Sequence, residues 1–168
     1  MNTKKLRFGV IGAGGIADRR TIPGILASLH GELAAVMDAT MPAAQRVGSK
    51  YSVKAYDSVK ALLADSAVDA VYIASPVVNH VEQALAVCEA GKPLLLEKPL
   101  ALTCKEGQRI VDAFATKGLP LATGLMMRFA THIRQMRERV QAGEIGSIVS
   151  AYARFSCWYP PIEGAWRQ

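Results

Sequence analysis

Short apolar runs alternate along this chain with stretches whose apolar positions recur every three or four residues, a pattern of βαβ units wound into a parallel sheet. The apolar runs predict strands at Leu6–Ile11, Leu33–Met37, Val53–Tyr56, Ala70–Ala74, Leu94–Glu97 and Leu121–Thr123. Helices fall between them. Thr103 and Glu106 form a Thr-x-x-Glu capping box ahead of Ile110, Val111 and Phe114, with Gly118 where a helix-ending glycine belongs. Asn79 is placed to cap a helix carrying Val81, Ala84, Leu85 and Cys88 that stops before Gly91. Pro23 sits inside the first helical stretch, which should kink or restart there.

The alternation ends after Thr123. A helix near Thr131–Ala142 leads through Gly143 and Gly146 into a β-prone stretch, Ile148 to Trp158. The alternating segments, residues 1–124, read as a Rossmann-type doubly wound α/β domain, whereas a strand as long as Ile148–Trp158 needs a sheet of its own. Residues 125–168 read as the beginning of a second α/β domain with an antiparallel sheet.

Composition fits a globular chain: 168 residues, 51% hydrophobic and 20% charged. Lys4 and Lys5 precede the apolar run Leu6 to Ala17 as a signal peptide's basic start would, but the run is glycine-rich and reads as a strand with its turn. A cytoplasmic protein without a membrane span is expected. Cys88, Cys104 and Cys157 are odd in number and far apart, with no His at ligand spacing, so they read as reduced thiols and no metal site is expected. The formal charge of +6 and the cluster Arg128, Arg134, Arg137 and Arg139 raise nucleic acid as a partner. These arginines interleave with Ile133, Met136 and Val140 at helical spacing, which makes them a solvated helix face instead.

The chemistry begins at Gly12-Ala13-Gly14-Gly15-Ile16-Ala17, a G-x-G-x-x-A that leaves a strand and opens a helix. Gly12 permits the tight turn, Gly14 lets the backbone approach a pyrophosphate, and Ala17 lets helix and strand pack closely. Phosphates are favoured at such a helix start by its free N–H groups and dipole. Asp38 ends the second strand, where a carboxylate accepts hydrogen bonds from the adenine-side ribose. It would repel a 2′-phosphate, and no Arg occurs in Ala39-Thr40-Met41-Pro42, so NAD is expected ahead of NADP.

Ligands of open α/β sheets bind beyond the carboxyl ends of the strands. Two further groups stand there: Ser75-Pro76 with His80, and Glu97-Lys98-Pro99. Pro99 keeps Lys98 extended, which helps fix the ammonium for a nicotinamide ribose and a substrate hydroxyl. A surface pair between Lys98 and Glu97, and a helix-start role for His80, are the plainer alternatives.

Together these segments, with Ser75-Pro76-Val77-Val78-Asn79-His80 and Ala90-Gly91-Lys92-Pro93 leading to Glu97-Lys98-Pro99-Leu100-Ala101, resemble the Gfo/Idh/MocA family of glucose-fructose oxidoreductase, inositol dehydrogenase and rhizopine catabolism proteins. Gly143-Glu144-Ile145-Gly146-Ser147-Ile148 is similar to the family's turn into its second domain, and Trp166-Arg167 to a pair ahead of its catalytic region. The resemblance implies NAD(P)-dependent hydride transfer at a hydroxyl or carbonyl carbon of a sugar, inositol or related polyol, and a homo-oligomer built through the second sheet. Lys98 and His80 would be catalytic. Gly12, Gly14, Gly15, Ile16, Ala17, Asp38, Ser75, Pro76, His80, Glu97 and Lys98 would hold the cofactor.

Two departures follow from it. Val77 stands where many members carry Asn, and the family's second motif, an Asp followed four residues later by His, would lie beyond Gln168. The chain alone is thus expected to lack a complete active site. The rival readings are a non-catalytic nicotinamide-binding module and an NAD-dependent glycosidase. Arg128, Tyr152, Trp158 and Tyr159 are candidates to line a sugar site by stacking and hydrogen bonding.

Overall fold

A computed structural model describes residues 4–158. The chain runs through β1 (Leu6–Ile11), a helical segment kinked at Gly15 (Ala13–Thr21), α1 (Ile22–Ala27), β2 (Gly31–Met37), α2 (Met41–Tyr51) and β3 (Lys54–Tyr56). It continues with α3 (Val59–Ala64), β4 (Ala70–Ile73), α4 (His80–Glu89), β5 (Leu94–Leu96), α5 (Cys104–Thr116) and β6 (Leu121–Thr123). All strand pairings are parallel, in the order β3-β2-β1-β4-β5-β6. Winding therefore reverses between β1 and β4, the position at which such sheets open a crevice.

Both sheet faces are covered, which is why the strands read as nearly unbroken apolar runs rather than alternating ones. On one face Ile11, Met37, Val71, Ile73 and Leu96 pack with Leu62 of α3, Ala84 and Val87 of α4, and Ile110 and Phe114 of α5. On the other, Val10, Leu33, Val36 and Tyr72 meet Ala17, Ile22, Ile25 and Val47.

All six predicted strands are present, each within two residues of its expected ends. The capping box closes α5 as expected: the Thr103 hydroxyl accepts from the Glu106 N–H at 3.2 Å, and a Glu106 carboxylate oxygen accepts from the Thr103 N–H at 3.1 Å. Pro23 falls in the first turn of α1, where the helix restarts. Asn79 differs from expectation. Its backbone is already in the helical region, in a single tight turn Val77–Asn79, and its side chain makes no capping hydrogen bond.

The chain divides into two compact units, Met1–Leu125 and Met126–Gln168. In the second, a tight turn (Met126–Phe129) precedes α6 (Thr131–Gln141). The expected strand from Ile148 to Trp158 does not form: these residues have no regular structure and lie exposed. A strand is stabilised by its ladder, and the described residues of this unit offer no second strand to pair with. Tyr152, Phe155 and Trp158 consequently face solvent, with Trp158 81% exposed.

Candidate functional site

The site is built where β1, β2, β4 and β5 end. Gly12 leaves β1 with φ +76°, and its N–H donates to the Met37 carbonyl at 2.9 Å. A Cβ on Gly12 would lie 2.5 Å from the backbone nitrogen of Ser75, so the absence of a side chain lets the ends of β1 and β4 touch. Ala13 and Ala17 are fully buried, as close packing of helix on sheet requires. Gly14, Gly15 and Ile16 are exposed.

Asp38 reaches back to this turn. Its Oδ2 accepts from the Gly14 N–H at 2.7 Å and its Oδ1 from the Ala39 N–H at 2.8 Å. The two sequence signals, glycine turn and acidic strand end, are thus in direct contact.

Below them Asp18 is nearly buried. It accepts from Lys50 Nζ at 2.7 Å, from the Tyr51 hydroxyl at 3.0 Å and from Arg46 at 3.4 Å. The Lys50 hydrogen bond is the main reason that its carboxyl is held below the usual range, against the opposing effect of burial.

At the end of β4, Ser75 and Pro76 enter the tight turn that carries Val77. His80 lies just behind them and is 1% exposed. One ring nitrogen faces the Ser75 carbonyl at 3.0 Å and the other the Pro99 carbonyl at 3.0 Å. The imidazole therefore lies between the loop after β4 and the turn after β5, donating to whichever carbonyl faces its N–H, and both its nitrogens point at the protein's own backbone rather than into open space.

The Glu97-Lys98-Pro99 turn, with a cis bond between Lys98 and Pro99, follows β5. Glu97 secures it: one carboxylate oxygen accepts from the Lys98 N–H at 3.0 Å and the other from the Tyr72 hydroxyl at 2.9 Å. Tyr72 in turn accepts from the Thr21 hydroxyl at 3.0 Å, so the chain Thr21–Tyr72–Glu97 joins the helical segment after the glycine turn to this turn. Burial pushes the Tyr72 phenol well above its ordinary range, with Glu97 adding to the effect. Tyr72 thus keeps its proton and donates a hydrogen bond through it to Glu97. Lys98 itself is exposed, and its ammonium has no ion pair among the described residues. The surface pair of Lys98 with Glu97 is absent because Glu97 is already committed to its own turn.

Residues 6–125 match the family described as an oxidoreductase family with an NAD-binding Rossmann fold. The chain belongs to the Gfo/Idh/MocA family. It is 34% identical over 162 residues to a 1,5-anhydro-D-fructose reductase of Ensifer adhaerens, covering 96% of this chain and 48% of that protein. It is 35% identical over 156 residues to a D-xylose 1-dehydrogenase (NADP(+)) of Haloferax volcanii, covering 92% and 47%. A crystal structure of a 3-ketoreductase from Actinomadura kijaniata in complex with NADP is similar with a TM-score of 0.78 at 31% identity, over 85% of this chain and 46% of that one. This Gfo/Idh/MocA chain thus spans about half the length of the relatives it matches.

Within the family's cofactor-binding domain, the structure brings together Gly12 with Ser75, Gly14 with Asp38, and His80 with the loops bearing Ser75 and Pro99. Of the suggested sugar-lining residues, Arg128, Tyr152 and Trp158 lie in the second unit and are exposed. Tyr159 and the Trp166-Arg167 pair lie outside the described residues. Sequence reasoning passed over Arg46, Asp18 and Tyr72. One signal was present: Arg46 and Lys50 stand four apart, hence on one face of α2, directly after the acidic strand end.

Proposed function

We propose that this chain is the cofactor-binding half of an NAD(P)-dependent oxidoreductase acting on a hydroxyl or carbonyl carbon of a sugar, inositol or related polyol. The observation that carries this is Lys98, an ammonium with no ion pair among the described residues, on a turn braced by Glu97, Tyr72 and His80 and hydrogen-bonded through to the helical segment that follows the glycine turn. The sugar reductase and dehydrogenase among its relatives support the substrate class.

The cofactor fits the residues present. A Cβ on Gly15 would have nothing within 4 Å, so the glycine turn offers an open backbone surface at the start of a helical segment, suited to a pyrophosphate. Gly12, Gly14, Gly15, Ile16 and Ala17 form that cradle, Asp38 receives the ribose hydroxyls, and Ser75 and Pro76 border the nicotinamide end. When bound, the nicotinamide supplies the hydride-accepting or hydride-donating carbon. Lys98 hydrogen-bonds the substrate oxygen and stabilises the charge that develops there. We assign His80 to holding the two loops in register, and not to touching the ligand.

Calorimetric titration with NAD, beside an NADH absorbance assay on sugars and polyols, tests the reading. The chain is expected to bind NAD and to turn over no substrate by itself. Asp38→Ala should weaken NAD binding by about tenfold or more, the loss of hydrogen bonds to a charged acceptor, and narrow its advantage over NADP. Absence of NAD binding, or full turnover by the 168-residue chain alone, would refute the proposal.

Oligomer formation belongs to the same reading. With Tyr152, Phe155 and Trp158 exposed on an unpaired β-prone stretch, the chain is expected to self-associate through residues 148–158. Light scattering decides this: a strictly monomeric chain, or association unaltered by replacing these three aromatics with Ser, contradicts it.

A further inference from the structure

We propose that Arg46 admits a 2′-phosphate on the adenine-side ribose, so that NADP binds this chain alongside NAD. The inference rests on the dinucleotide reading above and concerns which dinucleotide is taken. Asp38, with no arginine immediately after it, argues for NAD ahead of NADP. The structure brings an arginine to the same place from farther along the chain.

Arg46 lies in α2, and its guanidinium extends back toward the glycine turn, one terminal nitrogen 3.5 Å from the Gly14 carbonyl oxygen. That nitrogen lies 3.3 Å from the point where a Cβ on Gly14 would sit, and Asp38 Oδ2 lies 3.0 Å from the same point. A cation and an anion thus flank one exposed stretch of backbone. A ribose seated against Gly14 meets both: Asp38 suits free hydroxyls, and the guanidinium suits a phosphate, which it binds through two parallel N–H groups.

Arg46 is also the cation that Asp18 can spare. Lys50 and Tyr51 satisfy Asp18 at 2.7 Å and 3.0 Å, whereas Arg46 stands at 3.4 Å with its side chain 57% exposed. A long, exposed pair of this kind holds its arginine weakly. Turning from Asp18 to a phosphate leaves no buried charge unpaired, because Lys50 remains.

Calorimetry on the 168-residue chain with NAD, NADP and the fragment 2′,5′-ADP tests this, repeated on Arg46→Gln and Arg46→Lys. The unmodified chain is expected to bind NADP within about tenfold of NAD. Arg46→Gln should weaken NADP and 2′,5′-ADP by about tenfold to a hundredfold, the loss of a charge-assisted fork, with NAD changed by less than about threefold and the melting temperature unmoved. Arg46→Lys should keep part of the NADP affinity, because the charge remains while the fork is lost. Equal weakening of NAD and NADP makes Arg46 a brace of the glycine turn and overturns the proposal, as does NADP binding indifferent to Arg46→Gln or absent from the unmodified chain while NAD binds. Failure of the unmodified chain to bind either cofactor instead sinks the dinucleotide reading on which this one stands.

Discussion

Replacing Lys98 by Met is expected to lower turnover by at least about a hundredfold, the scale of a positioned acid–base or charge-stabilising group, while NAD affinity changes by less than about threefold. The measurement needs a polypeptide of the family's full size with this chain as its N-terminal half, because the relatives are about twice as long. The substitution is clean. Lys98 is exposed and its ammonium pairs with no carboxylate among the described residues, so Met removes the charge without orphaning a partner. The turn keeps its form because Glu97 binds the Lys98 backbone N–H, which Met also carries. A loss confined to kcat assigns the ammonium to the reacting oxygen, where charge changes along the reaction. A rise in KM alone would mean that Lys98 only holds substrate, and unchanged kinetics would leave it a solvated side chain.

That the sequence drew attention to Lys98 and not to Arg46 is a matter of range. Glycine turns, caps and X-Pro steps act on their own neighbours, so Gly12, Thr103 and Pro23 announced the turn, the α5 start and the α1 restart through local spacing. The apolar runs were equally legible, since a parallel sheet covered on both faces demands them. The contact of Asp38 with Gly14 was foreseeable only because the fold type was: given β1 beside β2, the ends of the two strands must meet.

The contacts on Asp18 had only the four-residue spacing of Arg46 and Lys50 to guide them, and those on His80 had nothing. Arg46 stands 28 residues from Asp18, and Pro99 stands 19 from His80. In sequence each is an ordinary polar residue, and only assembled elements decide which carbonyl or carboxylate it faces. His80 illustrates the consequence: the motif position was recognised, but the inward turn of its ring was not. The stretch Ile148–Trp158 failed for the opposite reason. Its β propensity was read correctly, yet propensity is a fit to a half-buried pleated surface, and the described residues of its unit give it none.

Gly12→Ala is expected to abolish measurable cofactor binding and to destabilise the fold by about 2–5 kcal/mol, the sum of a left-handed backbone penalty and an overpacked contact. The two contributions separate by comparison. Gly91 has φ +69° with nothing within 4 Å of a Cβ, so Gly91→Ala carries the conformational penalty alone, about 1–2 kcal/mol. Gly12 has φ +76° and also places a Cβ 2.5 Å from the Ser75 nitrogen, 2.7 Å from its Cα and 2.8 Å from the Ala74 carbonyl carbon. These are backbone atoms, and no rotamer change relieves them. Retreat of the turn is opposed on its other side by the Gly12 N–H bonded to Met37. The strain therefore falls on the junction of β1 and β4, where the glycine turn begins. Urea unfolding of both variants, with NAD titration of each, reads the result: Gly91→Ala should bind NAD normally at slightly lower stability, and Gly12→Ala should lose both. Equal stabilities for the two variants would mean that the turn yields to a methyl group and that the close approach of β1 and β4 does not govern this site.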